Sequence, residues 1–114
     1  TDFVNYVSLA VTVEVAGEEL IIGVGSYSAH DTADGVRTAE VAFTIEEDYQ
    51  GQGLAGSLLR TLIGLARQNG VARFEAEVLS KNAPMIVVFE RSGLPMTTTR
   101  EEGVIHVVMD LAVN

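Results

Sequence analysis

Apolar and polar residues alternate along the first part of the chain, which is the pattern of β-strands with one buried face. Residues 7–15 carry Val or Leu at every odd position, and residues 20–27 form a second apolar run. The short polar connection 16–19 separates the two runs, so together they predict an antiparallel hairpin. The turn-rich residues 28–35 predict an exposed loop before a third strand over residues 37–45.

The spacing of apolar residues becomes helical after residue 53. Between residues 54 and 69 leucines recur three and four residues apart, which predicts an amphipathic helix, and Gly70 stands where helices commonly end. Residues 71–79 alternate again and predict a fourth strand. A shorter helix is predicted over residues 82–91, with Pro84 in its first turn.

Two further strands, over residues 97–99 and 104–113, are predicted to form a closing hairpin. The full order is therefore three antiparallel strands, a helix, a strand, a helix and two strands. This order predicts an α+β fold with a central mixed, mostly antiparallel sheet. A chain of 114 residues with 47% hydrophobic residues has room for one core, so residues 1–114 are predicted to form a single domain.

Composition and charge narrow the classes of function. Seven Lys and Arg against sixteen Asp and Glu give a net charge of −9, which repels nucleic acid and anionic lipid, so neither is expected as a partner. The absence of cysteine excludes disulfides and thiol nucleophiles, and the two histidines, His30 and His106, lack the spacing of metal ligands. No metal site is predicted, and His30 is expected on a surface loop. Without a membrane-spanning run or a basic start, we expect a cytoplasmic protein.

A glycine-rich loop precedes the first helix. Its sequence, Gly51-Gln52-Gly53-Leu54-Ala55-Gly56, matches the dinucleotide-binding pattern G-x-G-x-x-G. A dinucleotide site is disfavoured because antiparallel strands precede the loop and no βαβ repeat follows it. The lysine of a nucleotide P-loop is also missing. Small residues at a helix N-terminus nevertheless expose successive N–H groups, which suit a pyrophosphate.

The segment Gln50-Gly51-Gln52-Gly53-Leu54-Ala55 resembles the Q/R-x-x-G-x-G/A loop of the Gcn5-related N-acetyltransferases (GNAT), which binds the pyrophosphate of acetyl-CoA. The resemblance extends from Val7 over nearly the whole chain, and residues 39–45, 49–51 and 79–85 look most like Pat-type protein lysine acetyltransferases. It implies a GNAT-like acyl-CoA N-acyltransferase fold. It also implies acetyl transfer from acetyl-CoA, without a metal, to a primary amine, with the lysine of a protein as the preferred acceptor.

The resemblance implies that Glu40 is the general base. A base is needed because a lysine amine, with an ordinary pKa of about 10.4, is mostly protonated at neutral pH and cannot attack. Glu40 is the only ionisable residue between Ala39 and Ile45, and we expect burial beside apolar neighbours to raise its pKa. The alternative from alternation alone is a strand glutamate that faces water.

The resemblance also implies a set of cofactor-binding residues. The last residues of the third strand are expected to offer main-chain groups to the pantetheine arm and the thioester oxygen. Asn82 is expected either to bond the cofactor arm or to be the N-cap of the second helix. Arg91, with Arg60 and Lys81 as competitors, is either a CoA phosphate ligand or an exposed helix charge. The predicted set is Phe43, Thr44, Ile45, Gln50, Gly51, Gln52, Gly53, Leu54, Ala55, Gly56, Asn82 and Arg91.

Two departures from the family pattern keep other functions open. Phe89 stands where many members have a tyrosine that protonates the leaving thiolate, so a non-catalytic acyl-CoA-binding regulatory module is one alternative. Members usually begin with a strand and two helices that precede the equivalent of Val7 and wall the acceptor site. We therefore expect a fragment of a longer chain, a wall from a neighbouring domain or a second subunit, or an open acceptor cleft. A small-molecule amine acetyltransferase is the other alternative.

Overall fold

The computed structural model of the chain describes residues 5–51 and 53–112. Its strands and helices follow the predicted order. They are β1 Asn5–Val15, β2 Glu18–Asp31, β3 Arg37–Ile45, a 3-10 turn Glu47–Tyr49, α1 Leu54–Gln68, β4 Arg73–Leu79, α2 Ala83–Glu90, β5 Met96–Glu101 and β6 Val104–Asp110.

Within the described residues, six strands form one sheet in the order β1-β2-β3-β4-β6-β5. All neighbouring strands are antiparallel except β3 and β4, which run parallel because α1 carries the chain from one to the other. The predicted α+β class and mixed, mostly antiparallel sheet are therefore confirmed.

The parallel strands separate soon after they meet. In the described part of the chain, β3 and β4 pair only at Thr38↔Arg73, Ala39↔Phe74 and Glu40↔Glu75. Both strands continue beyond Glu40 and Glu75, so a gap opens in the middle of the sheet. We call it the β3–β4 gap. The glycine-rich loop follows from its β3 side and α2 from its β4 side.

Both helices cover the same face of the sheet. The buried side chains of α1, among them Leu59 and Leu62, share one apolar cluster with Tyr27 and Phe74 of the sheet. Phe89 of α2 joins that cluster. No helix among the described residues covers the opposite face, which we call the open face. We find no helix in the described ranges that is long and apolar enough to cross a membrane.

Two glycines in β2 allow the end of β3 and α1 to pack this closely. A Cβ atom on Gly25 would lie 3.0 Å from the Phe43 ring and 3.2 Å from Leu62, and one on Gly23 would lie 2.8 Å from Ile45. Contacts this short require the neighbours to move. Because Gly23 and Gly25 have no side chains, Phe43 and Ile45 can pack against β2. These last residues of β3 border the gap.

Strand β2 is longer than its hydrophobic pattern predicted. At its start, the chain reverses in a two-residue turn at Ala16 and Gly17, with φ of 53° and 82°, which is the left-handed geometry of tight hairpins. At its end, the predicted loop 28–35 is wrong for residues 28–31, and His30 lies in a strand. Those residues pair with β3 and bury Ala29 completely, so tertiary packing outweighs their polar composition.

The remaining turn between β2 and β3 is held by Asp34. Its carboxylate accepts hydrogen bonds from the Thr32 hydroxyl, from the Val36 N–H at 3.0 Å and from Arg73 Nη2 at 3.0 Å. These hydrogen bonds, that of Thr32 first, lower the pKa of Asp34 to about 2. Since Arg73 belongs to β4, the interaction ties this turn to the start of the β3–β4 pair.

Candidate functional site

The glycine-rich loop presents backbone donors at the edge of the β3–β4 gap. Gly51 and Gly53 both have φ of +81°, and a Cβ atom on either would meet nothing within 4 Å, so their surroundings are open. Gly53 is the N-cap of α1 and has no side-chain cap, and the first turn contains no acidic residue. The first helical bond joins the Ser57 N–H to the Gly53 carbonyl. The N–H groups of Leu54, Ala55 and Gly56 therefore have no acceptor within the helix and can bind an anion.

Hydrogen bonds fasten the chain where it enters this loop. The Glu46 N–H donates to the Ile22 carbonyl at 2.8 Å, at an irregularity in the pairing of β1 and β2. Gln50 Nε2 donates to the Ile45 carbonyl at 3.1 Å. The side chain of Gln50 thus connects the loop to the end of β3. This hydrogen bond positions the loop, and the predicted role of Gln50 in cofactor binding is separate from it. Gln52, also predicted as a cofactor ligand, lies outside the described residues.

The predicted ligands Phe43, Thr44 and Ile45 lie on the β3 side of the gap. None of them pairs with a described residue of β4, so their main-chain groups on that side face the gap. The Phe43 ring meets the Phe89 ring of α2 with 6.1 Å between centroids. Phe89 is 1% exposed. Where many family members have a tyrosine, this chain therefore has a phenylalanine that is buried in an apolar contact between β3 and α2.

Asn82 and Arg91 lie at opposite ends of α2. Asn82 occupies the N-cap position, as one of its two interpretations predicted, but its side chain makes no capping hydrogen bond. A short turn, in which its N–H donates to the Leu79 carbonyl at 2.8 Å, connects it to the end of β4, so it lies on the β4 side of the gap. Arg91 is the C-cap and is exposed, whereas Arg60 reaches back along α1 and brings Nη1 to 3.9 Å from a Cβ built on Gly56. Arg60 therefore places a positive charge near Gly56 in the first turn of α1.

A groove of about 410 Å³ lies on the open face, beside the last paired residues of β3 and β4. Its polar and ionisable lining residues come from five strands: Tyr6, Ser26, Ser28, Glu40, Glu75, Glu77 and His106. A second hollow of about 380 Å³ adjoins it and shares Glu77 and His106. The described residues contain no group of three or more His, Asp or Glu arranged to hold a metal ion.

The expected burial of Glu40 is wrong, because the structure exposes it. Ala39 and Val41 on either side are buried at 0% and 5% exposure, so the alternation of the strand turns Glu40 to the open face. In this position its carboxylate is accessible to an incoming molecule. Its direct neighbour across the parallel pair is Glu75, which places two carboxylate side chains opposite each other at the mouth of the gap.

Glu75 is in turn bound to two basic side chains. Its Oε1 lies 3.0 Å from Nε2 of His106, and its Oε2 lies 4.0 Å from Nε of Arg73. The sequence predicts no functional role for His106, because only the register of β4 against β6 brings it beside Glu75 and Glu77. The alternation of residues 71–79 places Glu75 and Glu77 on the face opposite Phe74 and Ala76, but it contains no information that they share a groove with Glu40.

Comparison with known proteins agrees with this architecture. Residues 3–94 match the model of the acetyltransferase (GNAT) family, so the chain belongs to the GNAT family. The predicted family and the GNAT-like fold are thereby confirmed.

Among individual proteins, the chain is similar to Pat enzymes. It is 47% identical over 55 residues to the acetyltransferase Pat of Mycolicibacterium smegmatis, a match that covers 48% of this chain and 16% of that protein. It is 35% identical to the crystal structure of the GNAT domain of S. lividans PAT, with a TM-score of 0.72, covering 92% of this chain and 60% of that one. The matched segment thus spans about a sixth of the Pat relative, and the chain covers three fifths of the solved domain.

A third match concerns the fold alone. The structure of yncA from Salmonella typhimurium, solved with its cofactor acetyl-CoA, is 22% identical with a TM-score of 0.69. The match covers 81% of this chain and 59% of that one. A protein of this fold therefore holds acetyl-CoA.

Proposed function

We propose that this chain transfers the acetyl group of acetyl-CoA to a primary amine, and that the amine is a lysine of a protein. The observation that carries the proposal is the gap between β3 and β4, which has the glycine-rich loop at the end of β3 and a groove lined by carboxylates on the open face. The similarity to Pat supports acetyl transfer as the reaction.

The backbone would hold the cofactor. The N–H groups of residues 54–56, at the positive end of the α1 dipole, suit the two negative charges of a pyrophosphate. Arg60 adds a positive charge beside Gly56. Residues 43–45 would offer main-chain N–H groups to the pantetheine arm and to the thioester oxygen, where negative charge develops during attack. Asn82 would bind the arm from the opposite border of the gap.

Glu40 would prepare the acceptor for attack. Its carboxylate takes a proton from the incoming ammonium, and the freed lone pair forms the N–C bond while the C–S bond of the thioester breaks. Since the chain contains no cysteine, direct attack is favoured over a route through an acylated thiol. The ordinary pKa of a thiol is near 8.5, so the thiolate can leave without being protonated first. A tyrosine hydroxyl at position 89, where this chain has Phe89, is therefore not required.

The groove also favours a cationic acceptor on a large molecule. It carries three carboxylates, from Glu40, Glu75 and Glu77, and Glu101 and Glu102 line the adjoining hollow. Acidic side chains attract the ammonium of lysine and speed its encounter with the groove. Because the open face is not covered by a described helix, the groove is accessible to a side chain projecting from a folded protein.

The buried Phe89 supports one competing function, an acyl-CoA-binding regulatory module without catalysis. Isotopic acetyl-CoA offered with proteins, small amines and amino acids distinguishes the candidates. We expect label in protein lysines. Transfer confined to small amines would contradict the protein acceptor, and CoA binding without any transfer would favour the regulatory module.

A further inference from the structure

The open-face groove contains an imidazole that the proposed reaction does not yet use. His106 lines the groove together with Glu40, and its side chain is 41% exposed. Its Nε2 lies 3.0 Å from Oε1 of Glu75. A base within hydrogen-bonding distance of a carboxylate that orients it is a recurrent arrangement in proton transfer.

The hydrogen bond with Glu75 determines which ring nitrogen of His106 can take a proton. An ionised carboxylate only accepts hydrogen bonds, so Nε2 of His106 must carry the hydrogen. In the neutral ring Nδ1 is then unprotonated and has a lone pair. Glu75 thus fixes the tautomer in which Nδ1 is a base. When Nδ1 takes up a proton, the same carboxylate stabilises the positive charge of the ring.

Amide formation requires more proton capacity than Glu40 alone provides. An ammonium nitrogen carries three hydrogens and the amide product one, so two protons leave the nitrogen in each turnover. One balances the negative charge on the sulfur after the C–S bond breaks, and the other goes to solvent. A single carboxylate holds one proton at a time, and a protein acceptor seated in the groove would restrict the access of water to Glu40.

We propose that His106 takes the second proton, at Nδ1, and that Glu75 is its positioning residue. The inference rests on the proposed function. Glu40 takes the first proton from the ammonium before the N–C bond forms, and His106 takes the second as the C–S bond breaks. The imidazolium then releases its proton to solvent when the acetylated product leaves, and Glu40 passes its proton to the thiolate of CoA, so both residues regain their starting states.

Carboxylates are the main charged groups around His106. Glu77 pairs directly with His106 across β4 and β6, and Glu75 accepts its hydrogen bond. On the β5 side its cross-strand partner is Thr99, which does not ionise near neutral pH. The ionisable residues that line the two hollows around it are Tyr6, Glu40, Glu75, Glu77, Glu101 and Glu102. Nε of Arg73 lies 4.0 Å from Oε2 of Glu75.

The test uses two substitutions of His106 in the otherwise unchanged chain. His106→Asn retains an amide that can donate to Glu75 but cannot carry a proton, and His106→Ala opens a space for added imidazole. We expect kcat for acetyl transfer to fall about tenfold or more in both variants, with KM for acetyl-CoA unchanged. Added imidazole should restore His106→Ala and should not restore Glu40→Gln. Glu75→Gln should lower kcat less than His106→Ala, because it removes only the orientation of the base.

The outcomes separate this inference from the proposed function. If His106→Asn keeps the wild-type kcat, or if imidazole fails to restore His106→Ala, the proton-accepting role is wrong while acetyl transfer by the wild type stands. If Glu40→Gln retains activity, the assignment of Glu40 is wrong. If the wild type acetylates no amine, the proposed function and this inference are both overturned.

Discussion

The glycine-rich loop and the open-face groove are built in different ways. The glycine-rich loop offers main-chain N–H groups whose positions depend on the left-handed conformations of Gly51 and Gly53. The open-face groove instead offers side chains, Glu40, Glu75 and His106, that project from three strands. Substitutions should therefore affect the loop through backbone conformation and the groove through loss of a functional group. The net charge of −9 repels an anionic cofactor. The N–H groups of the loop act at short range, so they can bind the cofactor locally despite this repulsion.

The largest effect is expected for Glu40. Glu40→Gln should lower kcat for acetyl transfer by about 10² to 10⁴, the range for loss of a general base, with little change in fold because the side chain is exposed. The control is Glu19→Gln, an exposed glutamate at the far end of the hairpin between β1 and β2. Steady-state rates for the two variants measure the difference. Equal rates would show that the groove works without this carboxylate.

A smaller effect, on affinity and not on chemistry, is expected for the loop. Gly53→Ala forces a side chain into a left-handed conformation, at a cost of about 1 to 2 kcal/mol, so the loop should shift and the Kd for CoA should rise about tenfold. Gly17→Ala is the matched control, since Gly17 has nearly the same φ, +82°, and open surroundings but lies in a distant turn. Calorimetric titration with CoA measures both variants. An unchanged Kd for Gly53→Ala would show that loop conformation does not govern binding.

The close packing beneath the gap predicts a change in stability. Gly25→Ala should lower the free energy of unfolding by about 1 to 3 kcal/mol, because its Cβ would lie 3.0 Å from the Phe43 ring. Gly64→Ala, in the exposed interior of α1 with nothing within 4 Å, should instead raise it by about 0.5 to 1 kcal/mol. Urea unfolding measures both changes. A stabilised Gly25→Ala variant would contradict the proposed packing role of this glycine.

The smallest effect concerns acid and the turn between β2 and β3. The pKa of Asp34 is lowered from 3.8 to about 2, so its stabilising contribution is complete above about pH 4 and is lost as the pH falls toward 2. Urea midpoints of the wild type and of Asp34→Asn should therefore differ most above pH 4 and converge near pH 2. A difference that stays constant down to pH 2 would contradict the hydrogen-bonded state of this carboxylate.

The sequence predicts local structure well and the open-face groove poorly. The helix α1, strand β3 and the glycine-rich loop follow from spacing within short segments, and the structure places them as predicted. The groove depends on the register of distant strands, which puts His106 opposite Glu77 and Glu75 opposite Glu40. No pattern within a single strand contains that information. The polar composition of residues 28–31 is typical of turns and predicts a loop, although these residues extend β2.

The error on Glu40 has a different origin. Its apolar neighbours, Ala39 and Val41, suggested a buried environment, whereas the alternation of a strand places a residue on the face opposite to both. The alternation of residues 37–45 in the sequence predicts a strand glutamate that faces water, and the structure agrees, because Glu40 is exposed. Its functional meaning was not visible, because the groove that Glu40 lines is completed by residues of four other strands.

The central claim is that backbone groups bind the cofactor and that side chains of the groove act on the acceptor. One pair of titrations tests this claim most directly. Acetyl-CoA is titrated calorimetrically into Glu40→Gln and into Gly53→Ala, each compared with the wild type. We predict a wild-type Kd for Glu40→Gln and a Kd about tenfold higher for Gly53→Ala. A large loss of affinity in Glu40→Gln together with a wild-type Kd in Gly53→Ala would contradict the account.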